Sequence, residues 1–483
     1  MKKTGIAVAV VVAIGLVGTA GAWYTGTKME AVLRDAVAQS NGQIEKVLPG
    51  SAVRLEMTDF QRGVFSSSAR YELSYPGPEE KGPVTIVMLD RVQHGPFPLS
   101  RLAKLKLLPV MATSEAVLER SDYLAPLFTA SGDETPIVVK STVGYGNSID
   151  GSINVAALVF ESDEAKAEFY PGKLNFSTDM AGEAVLIDGR SDGMRLTATS
   201  EAGEPVIVNV SGLTLFADRH RGVSEFYIGE GRMGVEKLEV ETQGESTLVL
   251  EGLAQSDTLT EDESNLAGTL DFDISKVSYQ GQELGSAGMK WTFSRFDQKA
   301  TADLNELYNQ ITMSAYRGEE PQVEPERWNR AFASLLAAQP QLALDLLVIR
   351  TPSGESRARA GIELASPESF ELPIQDLVPQ LLASLDAHVQ LSKPMLRDII
   401  MYKTLFEPGM DAEVVAAEAE IMVEMVAGMA ESTKLARQEE DNLVTKLTYS
   451  DGNIELNGEV IPPEALAGLL ALFNPANPAV TAE

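Results

Sequence analysis

In the stretch NLAGTLDFDISKV, residues 265–277, Leu266, Leu270, Phe272 and Ile274 fall on one side of an extended chain, and Asp271 and Asp273 fall on the other. A period of two belongs to a strand and is incompatible with a helix. The same alternation sets Met194, Leu196 and Ala198 against Arg195, Thr197 and Thr199, and it recurs at Leu238 and Val240. It continues from about Ser51 to Phe296. One dry face and one wet face are what an antiparallel sheet with a solvated side requires. This half is therefore read as a long meander of hairpins. The pairs Asp188-Gly189, Asp192-Gly193, Gln280-Gly281 and Gly285-Ser286 supply the expected turns.

Helical spacing takes over after Lys299. Leu304, Leu307 and Ile311 form one stripe; Trp328, Phe332, Leu335 and Leu336 form another. Strands return in QLALDLLVIRT and RARAGIELA, joined through Pro352-Ser353-Gly354, and again at Leu385, Ala387, Val389 and Leu391. One helix is expected to begin near Pro394 and a longer one to cover Ala412–Glu431. Near the C-terminus, strands separated by Asp451-Gly452 and Asn457-Gly458 form hairpins, and Pro462-Pro463 starts a helix carrying Leu466, Leu469, Leu470 and Phe473.

At the other end, MKKTGIAVAVVVAIGLVGTAGAWY has two lysines followed by an uncharged run from Gly5 to Tyr24. Twenty helical residues span about 30 Å, the thickness of a hydrocarbon core. The two lysines would stay cytoplasmic and the remainder would cross, with Trp23 and Tyr24 at the far interface. The alternative is a signal peptide cut after Ala20-Gly21-Ala22, although its apolar run would exceed the usual length of about 7–15 residues. Either reading puts the bulk of the chain outside the cytoplasm. A juxtamembrane helix built on Met29, Val32, Leu33 and Val37 should end near Asn41-Gly42.

The expected fold class is thus α+β: a single N-terminal transmembrane helix, a long antiparallel β-rich periplasmic body, and helix-rich segments in the C-terminal half. Its expected parts are an anchor (1–24), a juxtamembrane helix (25–50), a β-meander (51–298) and a mixed helical and strand region (299–445). A terminal hairpin and helix (446–473) and a disordered tail (474–483) complete it.

Lys and Arg total 39 against 70 Asp and Glu, a formal net charge of -31. That field repels a phosphate backbone, and no basic cluster is expected to offset it locally, so no nucleic-acid partner is expected. The same field disfavours binding of the folded part to an anionic bilayer. With no cysteine in the chain, disulfides, thiol nucleophiles and thiolate metal sites are all excluded.

GAWYTG (21–26), RGVFSS (62–67), HGPFPL (94–99) and DGNIELNG (451–458) resemble, in this order, the YdgA-like proteins of Gram-negative bacteria, and ELGSAGMKWTF (283–293) has a weaker counterpart there. The resemblance covers essentially the whole chain. It implies a single-pass inner-membrane protein of unknown biochemical function, with its body in the periplasm and a tendency to self-associate. It supplies no catalytic residues.

Few residues invite a chemical reading. His94 precedes Gly95-Pro96, and Pro98 follows; two prolines stiffen the segment into an extended turn that the ring would pin, while Phe97 and Leu99 enter the core. His220 is expected in a polar turn and His388 on a strand surface, neither at metal spacing. Ser66, Ser67 and Ser68 lack a nucleophile-elbow frame. GEGRMG (229–234) lacks a strand-then-helix context. The acidic runs at 261–264, 318–320 and 437–441 lack calcium-loop spacing. Met422, Met425 and Met429 suit either an adaptable apolar surface or plain core. No catalytic, cofactor-binding or metal-binding residue is assigned, and no cofactor is expected.

The expected function is a non-enzymatic scaffold or protein-interaction module, self-association included. The alternative is binding or transfer of a lipid or another apolar ligand by a curved β-sheet groove. The partners would be the membrane through the anchor, a second copy, and an envelope protein or lipid. An apolar sheet face left open along its length would favour lipid, and one filled by helices would favour the scaffold. A serine and a carboxylate both bonded to His94 would instead revive a hydrolase.

Overall fold

The computed structural model describes residues 29–47, 50–63, 66–76, 83–94, 98–200, 203–242, 245–317, 325–370, 372–373, 377, 380–407, 409–450 and 452–462. The apolar run Gly5–Tyr24, residues 95–97 of the proline turn, the helix expected after Pro462-Pro463 and the tail lie outside them. No helix among the described residues is long and apolar enough to cross a membrane. Antiparallel strands dominate, and the chain divides into two compact units, one comprising Met1–Gly244 with Asn305–Glu324 and the other Glu245–Leu304 with Pro325–Glu483.

The first unit opens with helix α1 (Met29–Val47), followed by β1 (Arg54–Arg62), β2 (Ser66–Tyr75) and β3 (Val84–His94). After a one-turn helix α2 (Leu99–Leu102) come β4 (Ala112–Leu118), helix α3 (Ala125–Ala130), β5 (Ile137–Val143) and β6 (Ser148–Val155). The hairpin β7 (Leu158–Glu161) and β8 (Ala165–Phe169) leads to β9 (Gly172–Asp179), β10 (Ala184–Thr199), β11 (Pro205–Arg221) and β12 (Tyr227–Thr242). Strands β1 to β6 pair in sequence; β9 then pairs with β6 and passes the sheet on to β10, β11 and β12. Strand β8 shares the β9 edge of β10 further along.

Burial in the first six strands follows the alternation of the sequence: Leu55 and Met57 on β1, Tyr71 and Leu73 on β2, and Met88 on β3 are buried and closed over by Leu33 and Val37 of α1. Asn41 fixes that helix to the sheet. Its Nδ2 donates to the Leu55 carbonyl at 2.8 Å, and its Oδ1 accepts from the Leu55 amide at 2.9 Å. An asparagine used on a neighbouring strand does not stop its own helix, so α1 runs on to Val47 instead of ending at Asn41-Gly42.

The second unit contains β13 (Glu245–Glu261), β14 (Asn265–Tyr279), β15 (Gln282–Asp297), helix α5 (Pro325–Ala337), β16 (Gln341–Thr351), β17 (Gly354–Leu364) and β18 (Leu382–Ser392). Helix α4 (Gln298–Arg317) carries the cut between the units within its length. Then follow α6 (Lys393–Met401), α7 (Lys403–Phe406), α8 (Ala412–Ser432), β19 (Arg437–Glu439), β20 (Asn442–Ser450), β21 (Asn453–Leu456) and β22 (Glu459–Ile461). Strands β13 to β18 pair in sequence, β20 joins β18, and β19 and β21 share the far edge of β20. The side chain of Ser392 caps α6, accepting from the Met395 amide at 3.3 Å, and Asp411 caps α8, accepting from the Glu413 amide at 2.9 Å. Lys393 and Arg397 of α6 bind Glu424 and Glu420 of α8 at 2.9 and 2.6 Å.

Three expected turns are strand interior. Asp188-Gly189 and Asp192-Gly193 lie within β10, and Gly285-Ser286 lies within β15. At Gly193 (φ 128°) and Gly285 (φ 141°) an added Cβ would sit 1.8 Å from the Val210 carbonyl oxygen and 1.7 Å from that of Arg350. Glycine there lets a neighbouring strand approach without reversing the chain. Gln280-Gly281 is a genuine turn between β14 and β15, with φ 47° and 78°. Leu99, expected in the core, is exposed, and His220 is an exposed residue of strand β11, not of a turn.

Candidate functional site

Two surfaces and one buried cluster stand out. The cluster lies on the covered face of the first sheet. Register places Ser67, Val92, Ser114 and Ser141 in one row across β2 to β5, with Ala69 and Asp90 in the adjoining row. His94 ends β3 on the same face, and its Nε2 lies 3.0 Å from the Ser67 hydroxyl. Burial, with the positive charge of Arg62, holds the imidazole below its ordinary value, so it is neutral at pH 7. Its Nδ1 has no hydrogen-bond partner among the described residues. Asp90 sits four residues back along the strand, about 13 Å away at the rise of an extended chain, and its Oδ1 accepts from the Ser114 hydroxyl at 2.5 Å.

A working triad needs the third group on the second ring nitrogen and a nucleophile that substrate can reach. Here the carboxylate bonds a different serine, and Ser67 is buried. His94 thus meets only the serine half of the hydrolase condition. Burial pushes the Asp90 carboxyl up to about 7 against the opposing hydrogen bond from Ser114. Tyr71 is also raised, by burial and then by the Asp90 charge. Neither Asp90 Oδ2 nor the Tyr71 hydroxyl has a partner among the described residues.

The opposite face of the same sheet is an open trough of about 1120 Å³. Arg70, Arg91, Lys140 and Lys173 line it from β2, β3, β5 and β9, and Arg101 of α2 adds to it with Lys104 and Lys106 from the segment that follows. Asp59, Glu115 and Asp150 line it as well, and Glu72 and Glu119 pair with Arg70 beside it. The chain therefore does carry a local basic cluster, despite its net charge. The cluster is invisible along the sequence because its members occupy alternate positions of strands far apart in the chain.

The second unit presents an apolar sheet face. Register aligns Leu270, Trp291, Leu344, Ala360, Ala387 and Leu447 in one row, and Phe272, Met289, Leu347, Ala358, Val389 and Thr445 in the next. Phe272, Trp291, Ile349 and Leu391 remain 38%, 40%, 41% and 38% exposed. The other face carries charged pairs and rows beside Leu346 and Val348: Lys290 pairs with Asp271 at 3.6 Å, and Arg359, half-buried His388 and Lys446 share a row. In helix α8, Val415, Ala419, Val423 and Ala427 are buried, and Met422, Met425 and Met429 are exposed. The methionines are therefore surface, not core. The glycines of GEGRMG lie within strand β12, and in the first acidic run Asp262 accepts from the amides of Ser264 and Asn265, forming a plain turn.

Together these features define an antiparallel β-rich protein whose first unit has a helix-covered sheet face and whose second unit has a half-open apolar sheet face. Across residues 1–464 the chain matches the family described as bacterial protein of unknown function (DUF945), and it belongs to that family. It is 28% identical to Protein YdgA of Escherichia coli (strain K12) over 99% of both chains. It is 22% identical to the uncharacterized protein YihF of the same organism, covering 95% of this chain and 97% of that one. An uncharacterized protein of Haemophilus influenzae is 28% identical over 35% of this chain and 46% of its own. No solved structure matches.

Proposed function

We propose that the protein is a non-enzymatic, membrane-anchored component of the cell envelope that binds hydrocarbon chains of lipid along the apolar face of its second unit. The observation that carries this reading is the half-exposure of Phe272 and Trp291 on those apolar rows, and of Ile349 and Leu391 further along the same strands. Sheets with one apolar face normally bury it, and an apolar patch left accessible marks a surface that something covers. Acyl chains match it because its rows offer almost no donor, acceptor or charge to a polar ligand. The anchor and the envelope location rest on the run Gly5–Tyr24 and on the resemblance of the chain to its relatives.

Trp291 provides the test, in a chain whose other tryptophans, Trp23 and Trp328, are changed to Phe. A fatty acid brominated along its chain should quench Trp291, and Phe272→Asp should abolish the quenching. Unchanged emission at saturating fatty acid would remove the reading.

A second reading, self-association, is favoured by helix α8, where Ile421, Met425 and Met429 are 69%, 55% and 60% exposed at helical spacing. A second copy would cover that stripe. If so, the detergent-solubilised chain sediments as a dimer and Met425→Lys renders it monomeric. A monomeric wild type would dismiss this reading.

A further inference from the structure

We propose that the segment Leu99–Pro109, with the basic trough beside it, docks the first unit onto an anionic phospholipid bilayer. This surface is separate from the apolar face of the second unit and does not depend on it. Leu105, Leu107 and Leu108 are 84%, 65% and 77% exposed, and they alternate with Lys104 and Lys106 in the run LAKLKLL. Leu105 adopts φ 57°, a left-handed conformation that a leucine rarely takes, in the turn that closes α2. The segment is stapled down. The Ser100 amide donates to Gln93 Oε1 at 2.9 Å, the Ser100 hydroxyl lies 3.2 Å from that of Thr113, and Arg101 reaches the Leu108 carbonyl at 3.3 Å. Apolar side chains are thus held in water by a built structure.

Charge selects the occupant. Arg91, Lys104, Lys106 and Lys173 form no ion pair among the described residues, although acidic residues outnumber basic ones 70 to 39 in the chain. Cations kept unpaired in so acidic a protein await an external anion. Leucines spaced among them fit a surface that is anionic outside and hydrocarbon beneath, as a bilayer of acidic phospholipid is. A soluble phosphate would use the cations and leave the leucines wet. Seating on a second copy of this chain would instead depend on protein concentration.

The absence of native cysteine permits a direct test. Leu107→Cys carries an environment-sensitive fluorophore in the full chain, reconstituted into vesicles of phosphatidylcholine alone or with phosphatidylglycerol. The label should move to a blue-shifted, lipid-quenchable state only in the anionic vesicles, and salt should weaken the effect. Lys104→Gln with Lys106→Gln should lower the insertion equilibrium roughly 25-fold, at about fivefold per lysine. A label placed at exposed Tyr145 through Tyr145→Cys should stay aqueous throughout. Three outcomes would overturn the proposal: equal spectra in both vesicle types, a shift in detergent that grows with protein concentration, or loss of the shift on adding inorganic phosphate at constant ionic strength. Trp291 quenching is read separately, so failure here leaves the acyl-chain reading standing, and the converse holds.

Discussion

His94 Nε2 and the Ser67 hydroxyl meet at 3.0 Å across 27 residues of sequence, joining the end of β3 to the start of β2 on the covered face of the first sheet. The bond fastens the last residue of β3 to β2. Removing one member of such a pair leaves the other unsatisfied and costs about 1–3 kcal/mol. His94→Ala should therefore lower stability by that order, and Ser67→Ala somewhat less. Because the folded imidazole titrates below its ordinary value of 6.5, its contribution is complete above that pH and is lost as pH falls through the histidine range. Urea unfolding of both variants at pH 5.5 and 7.5 checks this; a His94→Ala protein as stable as the wild type at pH 7.5 would refute the structural role.

Asp90 tilts the opposite way. Its carboxyl is raised from 3.8 to about 7, so between those values the folded state holds a proton that the unfolded chain has released. Stability falls as pH rises through that window and levels off above it. The interval corresponds to as much as about 4 kcal/mol. Asp90→Asn cannot ionise and can still accept from Ser114, so it should remove the decline and exceed the wild type at pH 8. The measurement is the unfolding midpoint of both proteins from pH 4 to 8, and parallel curves would contradict the assignment.

Gly193 and Gly285 should tolerate no side chain. At either position a methyl group would enter the neighbouring backbone at under 2 Å. Strand separation would follow, so Gly193→Ala and Gly285→Ala should each cost about 3 kcal/mol or more. Gly281→Ala, in a turn with open space around it but with φ 78°, should cost only about 1 kcal/mol. Thermal melts of the three variants rank them.

Strand faces were legible wherever alternation was strict. Leu270 and Phe272 do share a face opposite Asp271, and Asn457-Gly458 is a turn with both residues at positive φ, 53° and 82°. Positions whose role depends on a neighbouring strand were hidden. Gly193 and Gly285 look like turn residues because the sequence does not show the carbonyls beside them. The Ser67–His94 bond and the trough of Arg91, Lys140 and Lys173 depend on register, which joins residues far apart in the chain. Met425 has the same local pattern whether buried or exposed; small Ala419 and Ala427 occupy the packed side of α8 and leave the methionines outside. Leu99 and Leu105 to Leu108 were hidden for the reverse reason, since apolar composition suggests core.

Native mass spectrometry of the detergent-extracted full chain tests the central claim most directly. The wild type should carry co-purifying phospholipid or fatty acid as discrete mass increments. Phe272→Asp combined with Ile349→Asp should lose them while keeping the wild-type circular dichroism spectrum. A wild-type protein that is folded and lipid-free under conditions where other membrane proteins keep their lipids would contradict the account.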